Sequence, residues 1–181
     1  VNAHNAASGR DLTLQLGDVS TPGATAVYAW NQGTTGRTAV TLAGAVTRGS
    51  SNPTGVTDTV MVWNSGVGGA DVEVTGAASI SGQGNALSVR NFNGTARLQL
   101  DGTLSSANGS AVSLEQAPPT SGTSTADRTA VVQVDGSLSG RNYGIDFSSG
   151  YRDATGAAGI DPSLRIAVAG SVQGGGGVRL S

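Results

Sequence analysis

Arg97-Leu-Gln-Leu-Asp-Gly-Thr-Leu-Ser-Ser-Ala-Asn-Gly-Ser-Ala-Val-Ser-Leu-Glu-Gln-Ala117 contains one unit of an internal repeat. It opens with an apolar-x-apolar-x-Gly strand, Leu98-Gln-Leu-Asp-Gly102. The same pattern occurs as Val40-Thr-Leu-Ala-Gly44, Val72-Glu-Val-Thr-Gly76, Val132-Gln-Val-Asp-Gly136 and Ile166-Ala-Val-Ala-Gly170. These five glycines stand 32, 26, 34 and 34 residues apart, which is the spacing of a solenoid repeat. An earlier copy, Leu12-Thr-Leu-Gln-Leu16-Gly17, carries its glycine one place early, so its parity differs and an irregular first turn is expected. Residues 1–11 then read as a lead-in or irregular cap, and 12–181 as one repeat domain.

A second strand motif follows each glycine. Its copies are Val27-Tyr-Ala-Trp-Asn31, Val60-Met-Val-Trp-Asn64, Leu87-Ser-Val-Arg-Asn91, Val112-Ser-Leu-Glu-Gln116, Ile145-Asp-Phe-Ser-Ser149 and Val178-Arg-Leu-Ser181. Alternation puts Val40 and Leu42, Val72 and Val74, and their equivalents on one face. A lone turn cannot bury that face. Stacking turns at about 4.8 Å pairs each strand in parallel with its copies above and below, and lays aliphatic residues over one another. The expectation is an all-β, single-stranded, right-handed parallel β-helix (a β-solenoid) of about six turns, the hand following from the preference of parallel crossovers. A third, shorter strand is expected just after each glycine, as at Thr103-Leu104 and Ser137-Leu138.

Composition agrees. The 181 residues include 29 Gly, no Cys, 12% charged and 4% aromatic side chains, with a formal net charge of −2. Small and β-branched residues with frequent Gly suit short strands and tight turns. There is no Lys/Arg run, so nucleic acid is not an expected partner. The apolar runs are far shorter than the roughly 20 residues of a membrane helix. Residues 1–9 lack the charged and apolar regions of a signal peptide, so the chain reads as a mature or trimmed segment. Three stretches are expected to leave the coil as insertions: Thr47 to Thr57, Ala117 to Thr129 and Ser149 to Ser163.

Asn31, Asn64, Asn91 and Gln116 share the last position of the second strand, where stacked amides can hydrogen-bond from turn to turn; an ordinary turn preference of Asn is the competing reading. Outside, Tyr28 and Trp30 are followed one turn later by Met61 and Trp63, and then by Arg90. This stripe holds both tryptophans of the chain, and Trp, Tyr and Arg are the usual anchors of binding surfaces. A covering loop would make it structural instead. Asp101 and Asp135 occupy equivalent positions in consecutive turns, but their ladder neighbours Thr75 and Ala169 add no charge, so solvated turn residues are expected rather than a metal site or acid pair. His4, the only histidine, lies in the lead-in with no nucleophile pattern beside it. There is no P-loop, no Gly-x-Ser-x-Gly and no His-Glu-x-x-His. No catalytic residue, metal or cofactor is therefore expected. Asn93-Gly-Thr and Asn108-Gly-Ser read as Asn-Gly turns.

The unit 97–117, together with Ala130 to Phe147 and Asp71 to Phe92, resembles a rung of the pertactin-like passengers of bacterial autotransporters. Those combine a Leu-x-Leu-x-Gly strand with a Gly-x-Ala-Val strand in each coil. The resemblance runs from about Leu12 to Leu180. It implies a secreted protein shown at the bacterial cell surface, with an outer-membrane barrel elsewhere in a longer parent chain. It further implies an adhesin or virulence-associated binding stalk, whose partner is a host-surface protein or glycan, or a neighbouring bacterial cell. No functional residue carries over, because the Arg-Gly-Asp of some members is absent and Gly9-Arg-Asp11 is not equivalent. The alternative is a β-helix polysaccharide lyase or hydrolase, or a phage tail-spike fragment. Ice binding is set aside because the outward series Thr41, Glu73, Gln99, Gln133, Ala167 is not a Thr array.

Overall fold

The computed structural model describes residues 1–49, 57–116, 129–149 and 163–181. They form a parallel β-helix with three strands per turn and no helix. The first sheet stacks Asn2–Asn5, Val27–Asn31, Val60–Asn64, Leu87–Asn91, Val112–Gln116, Ile145–Ser148 and Val178–Leu180. The second stacks Leu12–Leu16, Thr38–Leu42, Ala70–Val74, Ala96–Leu100, Ala130–Val134 and Leu164–Val168. The third stacks Val19–Thr21, Ala45–Arg48, Ser79–Gly82, Thr103–Ser106, Ser137–Gly140 and Ser171–Gly174. The described strands follow that order six times and end on a seventh strand of the first sheet, and all described neighbours pair in parallel.

Register follows chemistry. In the first sheet Val27, Val60, Leu87, Val112 and Ile145 lie over one another and are fully buried. In the second sheet Leu42, Val74, Leu100 and Val134 do the same. The third contributes Val46, Ile80, Leu104 and Leu138. A one-residue slip would turn each of these ladders outward, which is why the pairing is so strongly specified. The repeat's glycine has its own reason. A Cβ on Gly136 would run into the carbonyl of Gly102, and one on Gly170 into that of Gly136. At the corner between the first and second sheets, Gly69 and Gly94 have φ of 80° and 70°, a region that side-chain-bearing residues rarely adopt.

Two expectations change. Asn2–Asn5, read as part of an irregular lead-in, is a strand of the first sheet paired with Val27–Asn31. The copy at Leu12–Leu16 is not out of phase either: Leu14 pairs with Val40 and Leu16 with Leu42. Only the corner differs. Val19 lies over Val46, so the first turn passes from second to third sheet in one residue fewer, which moves Gly17 but not the inward residues. Pairing and burial set the register, and a corner absorbs the length change.

The expected insertions fall largely on 50–56, 117–128 and 150–162, outside the described residues. Thr47 and Arg48 belong instead to a strand. Arg48 points inward and is 5% exposed; its guanidinium donates to the carbonyls of Thr57 (2.8 Å) and Gly23 (3.2 Å). Asp58 lies near it, with Oδ1 accepting from the Asn85 amide at 2.9 Å. Burial pushes the Asp58 carboxyl up, opposed by hydrogen bonds from Asn85 and Ser88 and by the charge of Arg48.

Candidate functional site: an outward aromatic strip on the first sheet

The five inner strands of the first sheet, from Val27–Asn31 to Ile145–Ser148, bury alternate residues and turn the others to the surface. The pairing lays Trp30 over Trp63, Trp63 over Arg90 and Arg90 over Glu115. Tyr28 lies over Met61 in the adjoining row. All five predicted contact residues, Tyr28, Trp30, Met61, Trp63 and Arg90, are thus brought to one face, each half-buried. Tyr28, Trp30 and Trp63 form a mutual cluster. The two indoles meet edge to face at 6.0 Å, Tyr28 meets Trp63 edge to face at 5.9 Å, and Tyr28 is tilted on Trp30 at 6.3 Å. Burial also pushes the Tyr28 hydroxyl up. Thr25 Oγ1 reaches Met61 Sδ at 3.7 Å.

Three members were not anticipated. His4 stacks flat on Trp30, with ring centroids 4.7 Å apart and planes 19° apart. Phe92 lies beneath the Arg90 guanidinium at 5.3 Å, while the same group sits 5.7 Å from the Trp63 ring. Glu115 accepts from Arg90 Nη2 at 3.0 Å and has its second oxygen 3.0 Å from Nε. Sequence carried a signal for His4: Ala3-His4-Asn5 repeats Ala29-Trp30-Asn31 and Val62-Trp63-Asn64 in place and spacing. Phe92 stands just past the strand, where alternation no longer predicts direction.

The inner edge of the same sheet is polar. Asn64 Nδ2 donates to Asn91 Oδ1 at 2.8 Å, and Asn91 Nδ2 to Gln116 Oε1 at 3.0 Å. Asn5 donates to Asn31 Oδ1 at 3.2 Å. Between Asn31 and Asn64 the series breaks. Asn31 Nδ2 turns to the carbonyls of Arg10 and Arg37, while Asn64 Oδ1 accepts from the Thr38 hydroxyl at 2.9 Å. The amides also bind corner backbone, at Gly66, Gly94 and Thr129. The ladder and turn readings of these residues therefore describe the same side chains.

Asp101 and Asp135 do not make a bare acid pair. Gln99 Nε2 donates to both, and Gln133 Nε2 donates to Asp135 at 2.9 Å. Among the described residues there is no group of three or more acidic, His or Cys side chains fit to hold a metal, and no helix long and apolar enough to cross a membrane. The outer face of the third sheet carries hydroxyls that bond along the axis, such as Thr47 to Ser20 at 3.1 Å and Ser171 to Ser137 at 3.0 Å.

The fold and this face define a parallel β-helix with a clustered, half-exposed aromatic surface on one sheet. Set against known proteins, the chain matches no protein-family model, no curated protein and no solved structure.

Proposed function

We propose that this chain is a β-helical passenger segment of a bacterial autotransporter, secreted and displayed at the cell surface, that acts as an adhesin or binding stalk. Its partner is a protein on a host cell or on a neighbouring bacterium, met through Tyr28, Trp30, Met61, Trp63 and Arg90. The observation that carries this reading is the concentration of aromatic side chains. Both tryptophans, one of three tyrosines and one of two phenylalanines, in a chain with only 4% aromatics, gather with the only histidine on one outward strip. Isolated surface aromatics need no explanation, but a contiguous half-exposed group does. Aromatic residues beside a charged Arg–Glu pair are the composition of an interface centre with a polar rim. The edge-to-face packing of Trp30 and Trp63, and the His4 ring over one face of Trp30, engage ring surface on which sugars would otherwise stack, which favours a protein over a glycan here.

The enzymatic alternative rests in the sequence on Asp101 and Asp135, and each of these carboxylates accepts from side-chain amides; on the second sheet, Asp71 is paired with Arg37 and Glu73 accepts from the Thr41 hydroxyl. Polysaccharide turnover that disappears in Asp135→Asn would restore it.

The test is adhesion. Beads carrying the chain are scored on epithelial monolayers and on bacterial lawns, beside beads carrying the Trp30→Ala/Trp63→Ala variant. Retention is expected to fall about tenfold or more in the variant, the loss typical of truncating a central anchor. Equal retention by both would remove the strip as the contact.

A further inference from the structure

The outer face of the second sheet holds a groove of about 370 Å³ that crosses its four central rungs, from Thr38–Leu42 to Ala130–Val134. Two rows of side chains shape it. One row runs Ala39, Asp71, Arg97, Val131, and the other Thr41, Glu73, Gln99, Gln133, with one residue of each row per rung. Charge inside the groove balances. Asp71 is ion-paired to Arg37 and lies 4.0 Å from Arg97 Nε, and Glu73 accepts from the Thr41 hydroxyl at 3.4 Å. Such a groove has little call for a strongly charged ligand, and nucleic acid finds no excess of positive charge. At each rung it offers a hydroxyl, carboxylate, amide or guanidinium. At its two ends the small apolar side chains of Ala39 and Val131 leave room for carbon-bound hydrogens.

The period of this array discriminates between linear occupants. Rungs repeat every 4.8 Å or so. An extended peptide advances about 3.3 Å per residue and about 6.6 Å per same-facing pair, so it falls out of step within two rungs. An extended β-1,4-linked pyranose chain advances by close to one rung per sugar and turns each sugar over relative to the last, so same-facing sugars stay in step with every second rung, and each sugar carries hydroxyls on its edges and hydrogens on its faces. A coiled α-1,4-linked chain lacks that straight repeat. The groove's volume lies within the roughly 300–1,000 Å³ of ligand sites.

We propose that this groove is a non-catalytic subsite for an extended, uncharged β-1,4-linked glycan, with one sugar seated on each rung from Thr41 through Glu73 to Gln99. It is separate from the aromatic strip, which lies on another sheet, and does not depend on it.

The experiment is calorimetric titration of the 181-residue chain with cellohexaose and with chitohexaose, and with maltohexaose as the coiled counterpart. Saturable binding of at least one extended hexaose is expected, with maltohexaose weaker by roughly tenfold or more. Arg97→Ala and Glu73→Ala change exposed side chains, so both are expected to melt as the parent does and to weaken binding by about tenfold each. Trp63→Ala should bind the glycan as the parent does, which separates failure of this site from failure of the adhesive strip. The proposal is overturned if neither extended hexaose binds, if maltohexaose binds equally well, or if Arg97→Ala and Glu73→Ala leave the titration unchanged.

Discussion

Along Val60–Asn64 the two sides of one strand live in different worlds. Val60, Val62 and Asn64 are completely buried, with Asn64 wired to the rungs around it, while Met61 and Trp63 stand half-exposed. The inner side is repetitive across turns: Val or Leu over Val or Leu, amide over amide. The outer side is not. Trp63 is followed by Arg90 and then by Glu115. Repetition inside is what stacking demands, because each rung is the floor of the next and an empty or charged place weakens two interfaces at once. Water and whatever the surface meets impose no such period outside. In a solenoid, a departure from the repeat on the outer face therefore points to function, and one on the inner face points to structural compensation.

Arg48 is such an inner departure. It breaks the apolar interior of the third sheet and is held by the carbonyls of Gly23 and Thr57, with Asp58 nearby. A buried cation of this kind needs acceptors, and the Gly23 and Thr57 carbonyls supply two of them.

The comparison between sides can be broken most severely at Leu100, which is fully buried between Val74 and Val134. Leu100→Asp places an unpaired charge there and is expected to cost more than about 4 kcal/mol and to unfold several turns. Circular dichroism and a melting curve check it, and a β-rich variant of unchanged midpoint would mean that this face is not the inner one. Asn91→Leu comes next. It strands the Gln116 oxygen and the Gly94 carbonyl, at about 1–3 kcal/mol for each group left unpaired, and removes one acceptor of the Asn64 amide, which keeps the Gly66 carbonyl. A denaturant midpoint equal to the parent's would show that these amides are only turn residues.

Asp58→Asn sharpens the comparison through pH. Because the folded carboxyl holds its proton to higher pH than the unfolded chain does, the stability it contributes is fully present below the unfolded value. That contribution is lost as pH rises through the folded value. The parent should therefore lose some stability just above the ordinary aspartate range, and the Asn variant should lose less. Denaturation between about pH 3 and pH 6 measures the difference. The smallest effect belongs to the outer side. Glu115→Gln removes a partly exposed ion pair with Arg90 and should cost less than about 1 kcal/mol, shrinking further in high salt. A loss as large as that of Asn91→Leu would place this pair among the structural elements.

Much of this was legible before any coordinates. The Leu98-Gln-Leu-Asp-Gly102 and Val112-Ser-Leu-Glu-Gln116 patterns announce parallel stacking, and the third strand at Thr103 was visible from the same unit. At Leu12–Leu16 the glycine is a poor register mark, because the inward leucines are what pair and the corner sets where Gly17 falls. The strand at Asn2–Asn5 was missed because its inward residues, Ala3 and Asn5, carry little apolar signal. Of the candidate contact, Tyr28, Trp30, Met61, Trp63 and Arg90 followed from alternation alone. His4 and Glu115 stand in the same outward column, but the stacking of His4, the pairing of Glu115 and the place of Phe92 depend on how the neighbouring rungs and corners lie beside the strip.

The sequence by itself determined the parallel coil, its inward ladders and the residues that face out, because burial of an alternating face is a local property repeated at every turn. The tertiary structure alone decided how far each corner shifts one rung on the next. On that rest the stacking of His4 on Trp30, the break in the amide ladder between Asn31 and Asn64, and the balanced groove around Asp71. Each depends on at least one contact between residues more than 20 apart in the chain, whose approach is set by stacking and corner length and by no pattern along a single strand.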